Sequence, residues 1–170
     1  MRLVRLSNDF DVSSFDCGND ELGDFLQDDA LGYQDKFLAN TTLLLDGPNV
    51  VTYFSLVADS IRLSDEEKIV EKIDTSRSSF PAIKLARLAT DRRFQKRGYG
   101  TQAVEFSIGL ARHLNDEHRH DGIGCRFVTV DAYPGSVSWY KRFGFIENET
   151  KRDKRRETVS LRLDVLPFKD

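Results

Sequence analysis

The chain is poor in cysteine, proline, tryptophan and methionine, with two, four, one and one of these in 170 residues. Each shortage excludes something. Cys17 and Cys125 lie far apart with no Cys-x-x-Cys or Cys/His ligand spacing, which excludes a disulfide framework or zinc knuckle and leaves reduced, partly buried thiols. A membrane-spanning helix takes about 20 consecutive apolar residues, and no stretch approaches that. Residues 1–17 also lack the apolar core of a secretory signal. The chain therefore reads as a soluble cytoplasmic protein without a membrane partner. Hydrophobic residues, at 39%, are too many for a disordered or collagen-like chain. The length predicts one domain over 1–170 with one sizeable core.

Strong charge of one sign is also missing, since the net charge is −3. Its distribution is uneven. Residues 1–80 carry 7 Lys/Arg against 16 Asp/Glu, and residues 81–170 carry 18 against 12. Clustered positive charge raises the local concentration of anions, so an anionic ligand on the second half is one reading; two faces of one domain balancing each other is the other.

Polar and apolar residues alternate over 2–6, and 41–46 and 50–57 read as two strands joined by a tight turn at Gly47-Pro48-Asn49. Asn19 or Asp20 caps a helix in which Leu22, Phe25, Leu26 and Ala30 recur at helical spacing, continuing through Tyr33 and Phe37. Ser64-Asp-Glu-Glu opens a short helix through Ile73, and residues 74–81 read as a loop. Strands are expected at 82–90 and 126–131, a long helix at 98–114 and a short one at 136–142 that stops at Gly144. An antiparallel pair is expected from 144–149 and 156–165. This order argues for an α/β (α+β) fold with a mixed, mostly antiparallel sheet and helices on its faces.

One stretch carries chemistry. Arg92-Arg93-Phe94-Gln95-Lys96-Arg97-Gly98-Tyr99-Gly100-Thr101 joins the 82–90 strand to the long helix. Gly98 and Gly100 allow open dihedrals and close approach of an anion, and the N–H groups and dipole of the helix start point at it. Four cations, Arg92, Arg93, Lys96 and Arg97, add charge beside it. An ordinary basic loop before a glycine-rich helix start is the alternative.

Gln95-Lys96-Arg97-Gly98-Tyr99-Gly100 resembles the Gln/Arg-x-x-Gly-x-Gly/Ala signature of the GNAT superfamily of N-acetyltransferases, and Trp139-Tyr140-Lys141-Arg142-Phe143-Gly144-Phe145 is similar to its aromatic-Tyr-x-x-x-Gly-Phe segment. The likeness covers about residues 82–148. It implies a single N-acetyltransferase domain whose sheet is splayed where coenzyme enters, and transfer of acetyl from acetyl-CoA, the co-substrate, to a primary amine by direct attack, with no metal. It implies pyrophosphate on Arg93, Gln95, Lys96, Arg97, Gly98, Tyr99, Gly100 and Thr101. It also implies a pantetheine arm along Leu88, Ala89 and Thr90, and a backbone N–H near Leu88 that polarises the thioester carbonyl. Tyr140 matches the general-acid tyrosine of the superfamily. A phenol with a pKa near ~10 is protonated at neutral pH and can donate to a departing thiolate. Read from spacing alone, Tyr140 is an aromatic of the core, and only the resemblance favours the general acid. Tyr133 stands where many members of the superfamily have Asn.

Phe15-Asp16-Cys17-Gly18-Asn19, followed by Leu22, Phe25-Leu26 and Ala30, resembles the opening of the acetyltransferases related to toxin–antitoxin systems. That resemblance implies the amino group of aminoacyl-tRNA as acceptor, a small antitoxin partner and a homodimer, with the motif shaping the acceptor side. A helix cap with Phe15 as hydrophobic staple accounts for the same residues. Two other classes stay open: an enzyme acting on a small or protein amine, and a coenzyme A-binding module without catalysis. The basic run Lys151, Arg152, Lys154, Arg155 and Arg156 is a candidate phosphate contact or a solvated turn. His113, His118 and His120 lack metal-ligand spacing. Asp59, Asp131, Glu66 and Glu67 are candidate bases, with water as the alternative.

Overall fold

The N-terminal alternation produces β1 (Arg2–Arg5), which pairs antiparallel with β2 (Asn40–Asp46) from Arg2↔Leu45 to Arg5↔Thr42. β2 turns through Gly47, at φ +58°, and Pro48 into β3 (Asn49–Arg62), and the pair closes at Asp46↔Asn49. The remaining strands are β4 (Ser79–Thr90), β5 (Phe127–Ala132), β6 (Ile146–Glu147) and β7 (Val159–Asp164). Helices are α1 (Asp20–Asp24), α2 (Ala30–Asp35), α3 (Asp65–Val70), α4 (Tyr99–Leu114) and α5 (Val137–Lys141). The structure, a computed structural model, describes residues 1–116, 122–149 and 157–166. No helix among them is long and apolar enough to cross a membrane.

The hydrogen-bonded strand order is β1-β2-β3-β4-β5-β7-β6. β4 and β5 run parallel, pairing from Ala82↔Phe127 to Lys84↔Thr129, while β5–β7 and β6–β7 are antiparallel. The sheet is therefore mixed and mostly antiparallel. The chain divides into two units, residues 1–57 with 85–107 and residues 58–84 with 108–170. β3, β4 and α4 contribute residues to both.

In the first unit, Leu6, Phe15, Phe25, Leu26, Ala30, Leu43, Tyr53 and Ala89 form a buried cluster. The buried Tyr53 phenol is satisfied by donating to Leu22 O at 2.6 Å. Asn19 caps α1 by accepting from Leu22 N. The single helix read from spacing is interrupted: Phe25–Asp29 is a π-helical turn between α1 and α2, and Phe37 lies beyond the helix at φ +56°. Leu38 N donates to Tyr33 O and Phe37 N to Gln34 O, closing a Schellman turn in which Phe37 holds the position usually given to glycine. Its ring is 92% exposed.

In the second unit, Ile61, Leu63, Phe80, Ala82 and Phe127 pack together, so residues 79–81 belong to β4 and not to a loop. Ser64 and Glu67 form a full capping box on α3, which ends at Val70 instead of Ile73. Glu67 is buried, and it and Glu71 share Arg162, whose Nη1 and Nε donate to them at 2.6 and 2.7 Å. β5 is buried along nearly all its length, as expected of an interior strand with a parallel neighbour.

Candidate functional site

Between β4 and α4, Asp91 caps a 3-10 turn over Arg92–Phe94 by accepting from Arg93 N. The chain then passes through Lys96 at φ +63° and Gly98 at φ +86° before α4 begins. Gly98 thus has the left-handed backbone that only glycine adopts at little cost. Gly100 does not: it lies inside α4, and the second left-handed position is Lys96. The N–H groups of Tyr99, Gly100 and Thr101 open the 16-residue α4, where no carbonyl of the helix can accept from them and the helix dipole is positive. Such a helix start suits an anion.

Tyr99 contributes to it through its backbone. Its ring is buried with Leu44 and Val51, with Phe94 packed beside them, and its hydroxyl donates to Asp46 at 3.1 Å. That bond holds the phenol above its ordinary pKa. The helix start is thereby anchored to the β2–β3 turn.

Of the four cations expected beside the anion, two are ion-paired with carboxylates. Arg93 donates from Nε and Nη2 to the two oxygens of Asp91 at 2.9 and 2.8 Å. The Asp91 carboxyl is held below the usual carboxylate range chiefly by these bonds from Arg93. Arg92 pairs with Asp16 at 3.3 Å. The Gln95 amide spends its hydrogens on Cys17 O and Thr90 O, both at 3.0 Å. Lys96 and Arg97 are exposed and have no carboxylate partner among the described residues. Arg97 lies 5.6 Å from the Phe94 ring centre, a cation–π distance. Sequence spacing could not place Asp16 beside a loop more than 70 residues away.

Behind the loop, Ala89 is buried in the cluster of the first unit, Thr90 shares a hydrogen bond with Thr52 at 2.8 Å, and Leu88 is half-buried. The first unit therefore brings together all eleven residues of the expected coenzyme track, Leu88 to Thr90, Arg93 and Gln95 to Thr101. Asp91 and Asp16, which organise that track, were missed. An acidic residue directly before the run of bases was the available signal for Asp91.

Tyr140 belongs to the second unit. A 3-10 turn over Pro134–Ser136 leads into α5, and Gly144 at φ +93° ends the segment. Tyr140 is 6% exposed, with Trp139 at 4.8 Å and Phe145 at 5.6 Å edge-on to its ring. Burial pushes its phenol well above the ordinary value, so it stays protonated through neutral pH and is a donor there.

Three of the four candidate bases are committed elsewhere: Asp131 to Lys84 at 2.5 Å, Asp59 to Thr129 at 2.6 Å, and buried Glu67 to Arg162. Glu66 is exposed. Cys125 is buried, and burial pushes its thiol up, which disfavours the thiolate a nucleophile needs. His113 sits in the last turn of α4, whereas His118, His120 and the basic run 151–156 lie outside the described residues. Among the described residues no group of three His, Cys, Asp or Glu stands close enough to hold a metal ion.

Comparison with known proteins agrees with this architecture. The family model of the acetyltransferase (GNAT) family matches residues 56–145. A tRNA-acetylating toxin of Mycobacterium tuberculosis is 29% identical over 142 residues, covering 83% of this chain and 81% of the toxin. The solved structure of AtaT complexed with acetyl-methionyl-tRNAfMet superposes with a TM-score of 0.78 at 21% identity, over 96% of this chain and 94% of AtaT. A tyrosine-to-phenylalanine mutant of AtaT, bound to the C-terminus of the antitoxin AtaR and to acetyl-CoA, gives a TM-score of 0.73 at 19% identity, over 96% and 92% of the two chains. A family match over more than half of the sequence, on a fold that these structures share, makes this chain a member of the acetyltransferase (GNAT) family.

Proposed function

We propose that the chain is one acetyltransferase domain over 1–170 that moves the acetyl group of acetyl-CoA to the amino group of an aminoacyl-tRNA. The observation that carries the coenzyme half is the anion site at the start of α4, with Lys96 and Arg97 beside it and the left-handed Gly98 before it. Coenzyme pyrophosphate takes the N–H groups of the loop and of Tyr99 to Thr101. The pantetheine arm runs along Leu88 to Thr90, and the Leu88 N–H polarises the thioester carbonyl. The relative crystallised with acetyl-CoA supports this reading.

The amine nitrogen attacks the thioester carbon directly. As the C–N bond forms, the C–S bond breaks, and the departing thiolate takes a proton from the Tyr140 hydroxyl. The nitrogen loses its extra proton to water, from which Tyr140 is then reprotonated. The Tyr140 phenol is protonated at neutral pH and so has a proton to give, and a buried thiol with a raised pKa at Cys125 disfavours an acetyl-cysteine route. For the acceptor, the support is the 29% identity to a tRNA-acetylating toxin and the relative solved with acetyl-methionyl-tRNAfMet. An antitoxin encoded nearby follows from the same relatives, one of which is bound to AtaR.

Incubation with labelled acetyl-CoA and total aminoacylated tRNA, beside a panel of free amines, tests both halves. Label in aminoacyl-tRNA supports the proposal. Label confined to small or protein amines replaces the acceptor, and coenzyme binding without any transfer replaces the enzyme with a binding module. Tyr140→Phe is expected to lower kcat far more than it weakens coenzyme binding.

A further inference from the structure

We propose that Asp16, Gly18 and Asp91 are positioning residues for the anion-binding loop, so that the Phe15–Asn19 motif sets coenzyme affinity and not acceptor choice. This rests on the coenzyme reading above. The carboxylate of Asp91 is 1% exposed and accepts four hydrogen bonds, from Asp16 N at 3.2 Å and from Arg93 N, Nε and Nη2 at 2.9, 2.9 and 2.8 Å. Arg92 N donates to Asp16 O at 2.7 Å, and Gln95 reaches Cys17 O. Asp16 also accepts from Gly18 N at 2.9 Å. Gly18 has φ +84°, a left-handed backbone that favours glycine, and a Cβ there would stand 2.7 Å from Nε of the exposed Arg92 side chain.

These contacts stitch a segment near the N-terminus to both ends of the 3-10 turn that begins the loop. The loop needs the support. Lys96 holds a left-handed backbone that a lysine does not choose unaided, and Gly98, two residues on, holds another. Downstream the loop is anchored by Tyr99 on Asp46; upstream the anchor is the Asp16–Gly18 segment with Asp91. Without the upstream anchor the loop spends less time with its N–H groups converged, and apparent coenzyme affinity falls by that fraction.

The test is calorimetric acetyl-CoA binding together with steady-state kinetics on the full chain carrying Asp91→Asn or Gly18→Ala, with a thermal melt of each. Both variants are expected to weaken acetyl-CoA binding about tenfold and to raise its KM, while kcat at saturating coenzyme and the acceptor KM stay at the unaltered chain's values. Should Asp91→Asn not fold, Gly18→Ala carries the test, because its added methyl meets only the exposed Arg92 guanidinium. Folded variants that bind acetyl-CoA as the unaltered chain does, or that raise the acceptor KM instead, overturn the inference. No acetyl-CoA binding by the unaltered chain defeats the coenzyme reading itself, which separates the two failures.

Discussion

Arg162 is 2% exposed and satisfies two carboxylates at once, with Nη1 on Glu67 at 2.6 Å and Nε on Glu71 at 2.7 Å. Nη1 also reaches Asn148 Oδ1 and Glu147 O, and Glu67 further accepts from Ser64 N and Glu149 N. The group therefore ties α3 to β7 and to the residues following β6. Glu67→Gln keeps the shape and one acceptor oxygen, so it weakens the charge-assisted bond from Arg162 and loses the hydrogen bond at the other oxygen, about 1–2 kcal/mol. Arg162→Leu leaves two buried carboxylates without their shared cation, about 4–5 kcal/mol.

At roughly 2–4 °C per kcal/mol for a chain of this size, the melting temperature is expected to fall by about 2–8 °C for the first variant and by about 8–20 °C for the second. The double variant isolates the contact: Glu67→Gln is expected to cost less in the Arg162→Leu background than in the unaltered chain, because the charge-assisted bond it weakens is already gone. Urea unfolding followed by Trp139, the sole tryptophan and a residue of the same unit, reads all four proteins. A Glu67→Gln cost that is equal in both backgrounds refutes the charge argument.

Four further outcomes are expected. Phe37→Gly should raise stability by about 0.5–1 kcal/mol, because the left-handed turn prefers glycine and the exposed ring contributes little packing; a lower urea midpoint would show that the ring packs. Asp91 has a depressed carboxyl pKa in the fold, so its stabilisation is complete above about pH 4, the unfolded value, and is lost as pH falls through the depressed value; urea midpoints of Asp91→Asn and the unaltered chain should converge in acid. Cys17, half-buried, should react with a thiol reagent in the folded chain well before Cys125, and equal rates would contradict the burial of Cys125. Gly98→Ala meets no atom within 4 Å, so its cost is the dihedral alone, about 1–2 kcal/mol, read as weaker coenzyme binding with kcat preserved.

Most of the fold is legible because its elements announce themselves locally. Ser64 and Glu67 are a reciprocal capping pair at the right spacing, Gly47-Pro48 is a two-residue hairpin turn, and Ala103, Val104 and Ala111 of the apolar α4 face are buried, although Phe106 of the same face is exposed. What local signals miss are features decided by tertiary packing. The break at Phe25–Asp29 keeps apolar residues at helical spacing, so periodicity continues through it. Residues 74–81 look like loop throughout, yet Ser79 to Pro81 join β4, where Phe80 packs with Ile61 and Phe127.

The site divides in the same way. The anion-binding backbone is legible from Gly98 and the helix that follows, since both are written into consecutive residues. The fate of the cations is not. Counting Arg92, Arg93, Lys96 and Arg97 gives four charges, but charge in a fold belongs to pairs, and Asp16 and Asp91 withdraw two of them. Both arginines thus brace the loop while more than half of each side chain stays exposed. The Phe15–Asn19 segment touches the same loop through Asp16 N, Cys17 O and Gly18, contacts across more than 70 residues that local sequence signals do not reveal.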